Sequence, residues 1–510
     1  MRKRLLTLSV CLLTIRAAAL RAQTVPPESV PPASRAIQQP LSVRTGQAGG
    51  VATVETALPG GGIQSVNTIN STVQVQGAYL GSVPSAETAG PPLTLSLDDA
   101  IKRALEYNLG PVALGNAVRQ VRGQRLTALS TLLPNISGDL LVAEQQENLA
   151  ALGFGGFPGI PTIVGPFHYV DLRAGVSQSV FDLTRIRNYR SSQAAVRATE
   201  LSQQDARDLV VLAVTGGYLQ VIASGARVDS ARAQVATAQA TYQQAVDRQA
   251  AGVAPRIDVT RSQVELQTEQ QRLVSVQNDL AKQKINLGRV IGLPPGQEFA
   301  LSDTLPYAPL TGITLEEALK RAYGNRSDLK AAAEQVRSAG LARDAAAAER
   351  YPTVEVSGDY GVLGPSPENS HGTFGVTGAV RFPIFQGGRI RGDIEQAEAA
   401  LAQRRAEYQD LRASIDADVR KAFLDLTSAA TQVGVAESNR GLAADTLQQS
   451  RDRFAAGVAD TVEVVQAQEA VAGAEQDYIA ALYAHNLAKA SLARAVGQAG
   501  RDIRQFLGRP

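Results

Sequence analysis

The chain has 510 residues, 44% hydrophobic, 5% aromatic and 19% charged, with 45 Gly, one Cys and no Trp. It is too apolar for a disordered chain and too poor in large side chains for several thick cores, so long helices packed through small residues suit it better. The formal charge of +2 arises from five Arg and Lys in the first 22 residues, and the remaining 45 bases stand against 48 acids, which excludes a basic nucleic-acid footprint.

Met1 to Ala22 has the pattern of a secretory leader: Arg2, Lys3 and Arg4, an apolar stretch from Leu5 to Ile15, then Ala17 to Ala19 before the expected cut. Cys11 falls inside it, so the exported chain is expected to hold no cysteine, which excludes disulfides, thiol catalysis and Cys-based zinc sites. Residues 23–92 form a Pro/Gly/Ser-rich arm, in which Val73 and Val75 alternate with Thr72 and Gln74 as an extended segment would.

From residue 93 one unit is written twice. LSLDDAIKRA at Leu95 returns as ITLEEALKRA at Ile313, and a constant offset of 218 carries Leu95–Pro134 onto Ile313–Pro352 without a gap. Val180-Phe181 and Arg185-Ile186-Arg187 return at an offset of 204 as Ile384-Phe385 and Arg389-Ile390-Arg391. TYQQAVDRQAAGVA from Thr241 returns as TLQQSRDRFAAGVA from Thr446. The first repeat spans 93–293: a helix over Asp98–Leu132, a strand pair within 134–181, a long helix over 182–251 and a helix over 256–292. A linker, 294–312, precedes the second repeat, 313–497, with a helix, a strand pair within 351–385, a long helix over 386–456, a helix over 461–497 and then a tail, 498–510.

Period two sets the strands: Val170, Leu172, Ala174 and Val176 alternate with Asp171, Arg173 and Ser177, and Val354, Val356, Tyr360 and Val362 alternate with Glu355, Ser357 and Asp359. These 83 positions hold ten of the 24 Phe and Tyr, as in a membrane β-barrel wall, although the strands by themselves equally fit a soluble two-hairpin cap on a bundle. The 70 residues of Asp182–Ala251 lack proline and would make a helix about 105 Å long, which must be bundled. The returning helices show a seam: Val259, Leu266, Leu273, Leu280 and Leu287 stand seven apart, answered by Val464, Val471, Tyr478, His485 and Leu492 with Ala between them, which predicts antiparallel coiled coils.

Four strands cannot close a barrel, for which about eight are needed. An exported chain with open strand edges must therefore associate, and three copies supply 12 strands, which points to a trimeric tube. The doubled order, with LDDAIKRAL and LEEALKRAY opening the copies, IFQGGRIR after the second strand pair and RDRFAAGVADTVEVVQAQ at the second hairpin, resembles the TolC outer-membrane efflux family. The resemblance implies an α+β membrane protein in the outer membrane, a homotrimer combining a 12-stranded β-barrel with a periplasmic α-barrel of long coiled coils. It implies a passive channel of a tripartite efflux or type I secretion system, fed by an inner-membrane pump through a periplasmic adaptor protein and surrounded by outer-membrane lipid.

Two turns, Gly252-Val253-Ala254 and Gly457-Val458-Ala459, end the long helices at a C-capping glycine, and by resemblance form the periplasmic tip that meets the adaptor. Asp258 and Glu463 read locally as first-turn acids; by resemblance they line the periplasmic aperture, where a second family acid is replaced by Gln466. Arg185, Arg187, Arg389 and Arg391 follow the strands, as solvated first-turn charges or as residues at the membrane edge. His168, His371 and His485 are too scattered for a metal motif, and His485 takes a seam position as a satisfied packing histidine. No nucleophile, paired-carboxylate or phosphate-loop pattern is present, so no catalytic activity or cofactor is expected. The competing expectation is an exported coiled-coil structural or adaptor protein without a pore.

Overall fold

Alanine-rich sequence poor in proline favours helix, and the computed structural model is helical over most of the chain. It describes residues 51–56, 70–75, 79, 81–154, 161–304, 307–309 and 312–508; the expected leader lies outside them. In chain order the elements are β1 (Val51–Thr56), β2 (Asn70–Val75), β3 (Leu93–Leu95), α1 (Leu97–Tyr107), α2 (Leu109–Ser130), β4 (Asn135–Asn148), β5 (Ile163–Phe181), α3 (Leu183–Ala250) and α4 (Arg256–Val290). They continue with β6 (Phe299–Leu301), α5 (Leu315–Asn325), α6 (Ser327–Ala348), β7 (Thr353–Gly364), β8 (His371–Arg381), α7 (Arg389–Ala455), α8 (Thr461–Ala495) and α9 (Ala499–Phe506). The lengths recur: α1 and α5 have 11 residues, α2 and α6 have 22, α3 and α7 have 68 and 67, α4 and α8 have 35.

The chain divides into two compact units. Among the described residues the first takes 122–194 and 337–402, and is built around an antiparallel sheet in the order β4-β5-β7-β8. The second takes the rest and is helical, with a core in which Val210, Val214 and Tyr218 of α3 meet Ile415 and Val419 of α7, Leu492 of α8, and the paired alanines Ala100/Ala104 and Ala318/Ala322. Helix α3 holds an apolar stretch long enough to cross a bilayer, yet 67% of that stretch is buried in the protein, as a core helix requires.

Four segments carry structure that their composition does not show. The helix expected over Asp98–Leu132 is broken at Asn108, whose buried amide donates to the carbonyls of Tyr79 (2.8 Å) and Val290 (3.2 Å) and accepts from the Gly110 N–H at 2.9 Å. Such side-chain competition with the helix ladder is characteristic of Asn. Arg326 marks the same break between α5 and α6, and donates to Asp328 (2.6 Å) and Asp418 (3.2 Å). The linker 294–312 carries β6, which pairs in parallel with β3, and its Asp303 accepts from the Leu97 N–H (2.9 Å) and the Tyr218 hydroxyl (2.7 Å). A three-residue strand is too short to show a period. The tail 498–510 carries α9, which buries Ile503, Phe506 and Leu507, an apolar set confined to about one helical turn. The arm, too, holds a hairpin, β1 antiparallel to β2.

Each helix break rests on a glycine at the end of the returning helix. A Cβ on Gly292 would stand 2.4 Å from Cβ of Tyr107, and one on Gly497 would stand 2.8 Å from the Arg326 backbone nitrogen, with φ of +72° and +73°. Gly497→Ala is therefore expected to lower the melting temperature well beyond Gly252→Ala, where φ is +74° but nothing lies within 4 Å. The open site pays only the left-handed penalty of about 1–2 kcal/mol, and thermal unfolding of the two variants compares them directly.

Candidate functional site

The sheet has two chemically distinct faces. Register pairs Leu140 with Leu172 and Val362, and Ile136 with Val176 and Gly358, while Tyr360 faces Phe374 and Gly358 faces Val376, so all of these share one side. That side is apolar and bare: Ile136 and Phe374 are each 80% exposed and Val376 77%. Phe382, Ile384 and Phe385 extend the exposed apolar surface past β8. The other side carries Ser137, Asp139, Asp171, Arg173, Ser177, Ser357 and Asp359, with Arg173 bonded to both Asp171 (3.2 Å) and Asp359. Among the described residues no strand pairs with the outer edges of β4 and β8. The sheet is thus apolar on one face, charged on the other and, among the described residues, open at both edges.

At the exits from the sheet, three of the four arginines are internal ties. Arg185 holds the buried Asp182 at 3.0 Å and donates to the Thr131 carbonyl at 3.0 Å. Arg389 holds the buried Glu349 (2.5 Å) and Asp393 (2.8 Å), and Arg187 donates to the Asp344 carbonyl at 2.8 Å. Arg391 alone stands out, with its side chain 87% exposed beside Glu395.

The two turns have the same construction. Gly252 N–H donates to the Gln249 carbonyl and Val253 N–H to that of Arg248; Gly457 and Val458 repeat this with Phe454 and Arg453, so both are Schellman caps. The sequence reading missed what joins them: the Arg248 guanidinium donates to the Phe454 carbonyl at 2.7 Å and stacks 4.5 Å from its ring centre. Nothing in the sequence marks this bond, because it depends on the ends of α3 and α7 meeting. Ala254 and Ala459 are half-buried, whereas Val253 and Val458 are exposed.

Beyond the turns, Glu463 N–H donates to the Asp460 side chain (3.1 Å) while its own carboxylate meets Arg453 at 3.3 Å. Asp258 sits in the first turn of α4, its N–H donating to the Pro255 carbonyl. Gln466 is exposed and lines a groove of about 520 Å³ between the first turns of α4 and α8, together with Ile257, Arg261, Val264, Glu265 and Val465. Burial, and then the neighbouring Glu269 and Glu469, push the Glu265 carboxyl above its ordinary range. His485 differs from its expected role: it is fully buried, 5.2 Å from the Tyr307 ring, but among the described residues neither ring nitrogen has a hydrogen-bond partner. Among the described residues no group of His, Cys, Asp and Glu is disposed to hold a metal ion.

The profile of the family described as "Outer membrane efflux protein" matches residues 166–293 and 318–498. The pyoverdine export outer membrane protein OpmQ of Pseudomonas aeruginosa is 24% identical over 428 residues, covering 81% of this chain and 87% of its own. Protein CyaE of Bordetella pertussis is 27% identical over 350 residues, 64% of this chain and 72% of its own. Among solved structures, the outer membrane protein VceC of Vibrio cholerae aligns with a TM-score of 0.68 at 18% identity, over 79% of this chain and 96% of that one. The CmeC outer membrane channel of Campylobacter jejuni gives 0.69 at 14%, over 89% and 98%.

Proposed function

The chain belongs to the outer membrane efflux protein family, and from that premise we propose that it is an internally duplicated protomer of a trimeric channel. Three copies close a 12-stranded barrel in the outer membrane, and their long helices continue the conduit through the periplasm. The conduit is passive. Substrate comes from an inner-membrane pump through a periplasmic adaptor that meets the turns at Gly252 and Gly457, and a relative named for pyoverdine export supports the reading as an export duct.

The observation that carries this reading is the sheet: four strands, one bare apolar face, one charged face and two open edges. A coiled-coil spacer without a pore has no use for such a surface, whose exposure to water favours aggregation. A second support is α4, where Ile257, Val264, Val274 and Ile285 are exposed at spacings of 7, 10 and 11, one face of a helix for neighbouring copies to cover.

The test is native mass measurement of the detergent-extracted protein followed by conductance in planar bilayers. A trimer that forms channels is expected; a monodisperse, non-conducting monomer overturns the reading. Asp258→Asn with Glu463→Gln should raise single-channel conductance, since the second change removes the tie to Arg453 near the turn and both remove charge from the expected aperture. Unchanged conductance would leave the two acids as helix-terminal residues only.

A further inference from the structure

The first hairpin outgrows the second. Strand β5 pairs with β7 no further than Val170 opposite Gly364, while β4 and β5 stay paired as far as Asn148 opposite Ile163, so residues 163–169 of β5 rise about 23 Å beyond the four-stranded sheet. The helices join the strands at the opposite end, where α2 precedes Asn135 and α3 follows Phe181. In the channel proposed above, this ribbon therefore stands at the outer rim.

The two faces exchange character at that row. On the apolar face, Val142 and Val170 are succeeded by Glu144 opposite His168, both exposed. On the charged face, Asp171 is succeeded by Tyr169 opposite Ala143 and Phe167 opposite Gln145. The two rings lie on one side with centroids 6.4 Å apart, and a Cβ on Gly165 would stand 3.1 Å from the Phe167 ring, so the strand itself seats that ring. Height accounts for the exchange. From Val180 to Val170 the strand runs ten residues, which at about 3.3 Å each and a tilt of about 40° climb about 25 Å, the height of the apolar band on an outer-membrane barrel. Lipid ends near Val170 on that geometry, and an aromatic girdle for the bilayer surface would need the parity of His168, not that of Phe167 and Tyr169.

We propose that Phe167 and Tyr169 form a collar inside the outer mouth that binds aromatic organic cations as they leave. The inference rests on the trimeric channel reading, in which three copies set their ring pairs around one axis. Charge selects the occupant. Next to the collar, Asp139 pairs in register with Arg173, which is bonded to Asp171 (3.2 Å) and Asp359, so three carboxylates stand against one guanidinium. Phe and Tyr rings attract cations through their faces and stack with other rings. A planar, positively charged molecule gains both contacts there, whereas an anion meets net negative charge. The collar belongs to the first repeat alone, because β7 ends at Gly364, β8 starts at His371, and the residues between them include no aromatic.

The experiment is current block of the full-length protein in planar bilayers, with benzyltrimethylammonium and tetramethylammonium as probes, which share a charge and differ by one ring. The benzyl probe should halve the wild-type current at a concentration roughly two- to tenfold below that of tetramethylammonium, the range one aromatic contact supports. In Phe167→Leu with Tyr169→Leu, which keeps apolar bulk and removes the rings, the two probes should act at equal concentrations. His168→Ser, between them in sequence but on the opposite face, should keep the wild-type difference. If the double variant forms no channels, Phe167→Leu and Tyr169→Leu taken singly carry the test, and each should narrow the difference. Equal potency of the probes on the wild type, or a difference that survives removal of the rings, overturns the collar while leaving the channel standing. Loss of the difference in His168→Ser as well would assign it to the ribbon's shape, and also overturns the collar. A wild-type protein that forms no channel removes the channel reading itself, and the collar with it.

Discussion

Leu172→Arg combined with Val376→Arg is expected to remove the chain from the outer-membrane fraction, while Ser177→Arg leaves it there. Leu172 and Val376 lie on the bare face, 52% and 77% exposed. Ser177 pairs with Asn135 and Ser357 on the opposite face. An arginine on the lipid side of a barrel costs about 2–4 kcal/mol at the bilayer midplane, and less toward the interfaces. Two per chain cost about 4–8 kcal/mol, comparable with the whole of the roughly 5–15 kcal/mol by which a folded protein is ordinarily stable. On the polar face an arginine joins Asp139, Asp171 and Asp359 and costs little. Membrane fractionation and the migration of unheated samples separate the two cases. Equal insertion of both variants would mean that lipid does not contact the face with Leu172 and Val376.

That contrast was legible in the sequence because a strand reports its faces through alternation alone, and the apolar parity of β5, β7 and β8 survives in plain text. Helix α3 was equally legible: no proline interrupts Leu183–Ala250, and the glycine that ends it is followed at once by a restart. What escaped was structure made by contacts between distant segments. Asn108 breaks a helix because the carbonyls of Tyr79 and Val290 await its amide, and neither is near it in sequence. Strands β3 and β6 have three residues each and exist only as a pair. Helix α9 has two turns, and its Arg504 is held by Asp98, about 400 positions upstream. The turns were recognised from Gly252 and Gly457, but the Arg248–Phe454 bond that joins them was not, since an arginine in the last turn of a helix reads as a solvated charge.

The other large effect is expected inside the helical unit, where Lys489→Met should raise the melting temperature at pH 7. Lys489 is fully buried on α8, its Nζ has no hydrogen-bond partner among the described residues, and burial lowers its pKa from 10.5 to about 8. At 1.36 kcal/mol per unit this is a cost of about 3 kcal/mol carried by the folded state at neutral pH, where the ammonium is charged in both states. Between pH 8 and 10.5 the unfolded chain keeps a proton that the folded chain gives up, so native stability rises with pH and the advantage of methionine fades across that window. His485, one turn earlier, behaves alike at lower pH. Burial and then the Lys489 charge bring its pKa from 6.5 down to about 4, so stability falls as pH drops from 6.5 to 4. His485→Leu, which restores the residue that Leu280 supplies in the first repeat, should flatten that limb. The matched position in the first repeat is the control: Lys284 donates to the Phe299 carbonyl at 3.2 Å, so Lys284→Met loses a bond and should gain nothing. Melting curves of the four proteins from pH 4 to 10.5 decide the matter, and a lower melting temperature for Lys489→Met at pH 7 would show that the assembled protein gives this ammonium a partner.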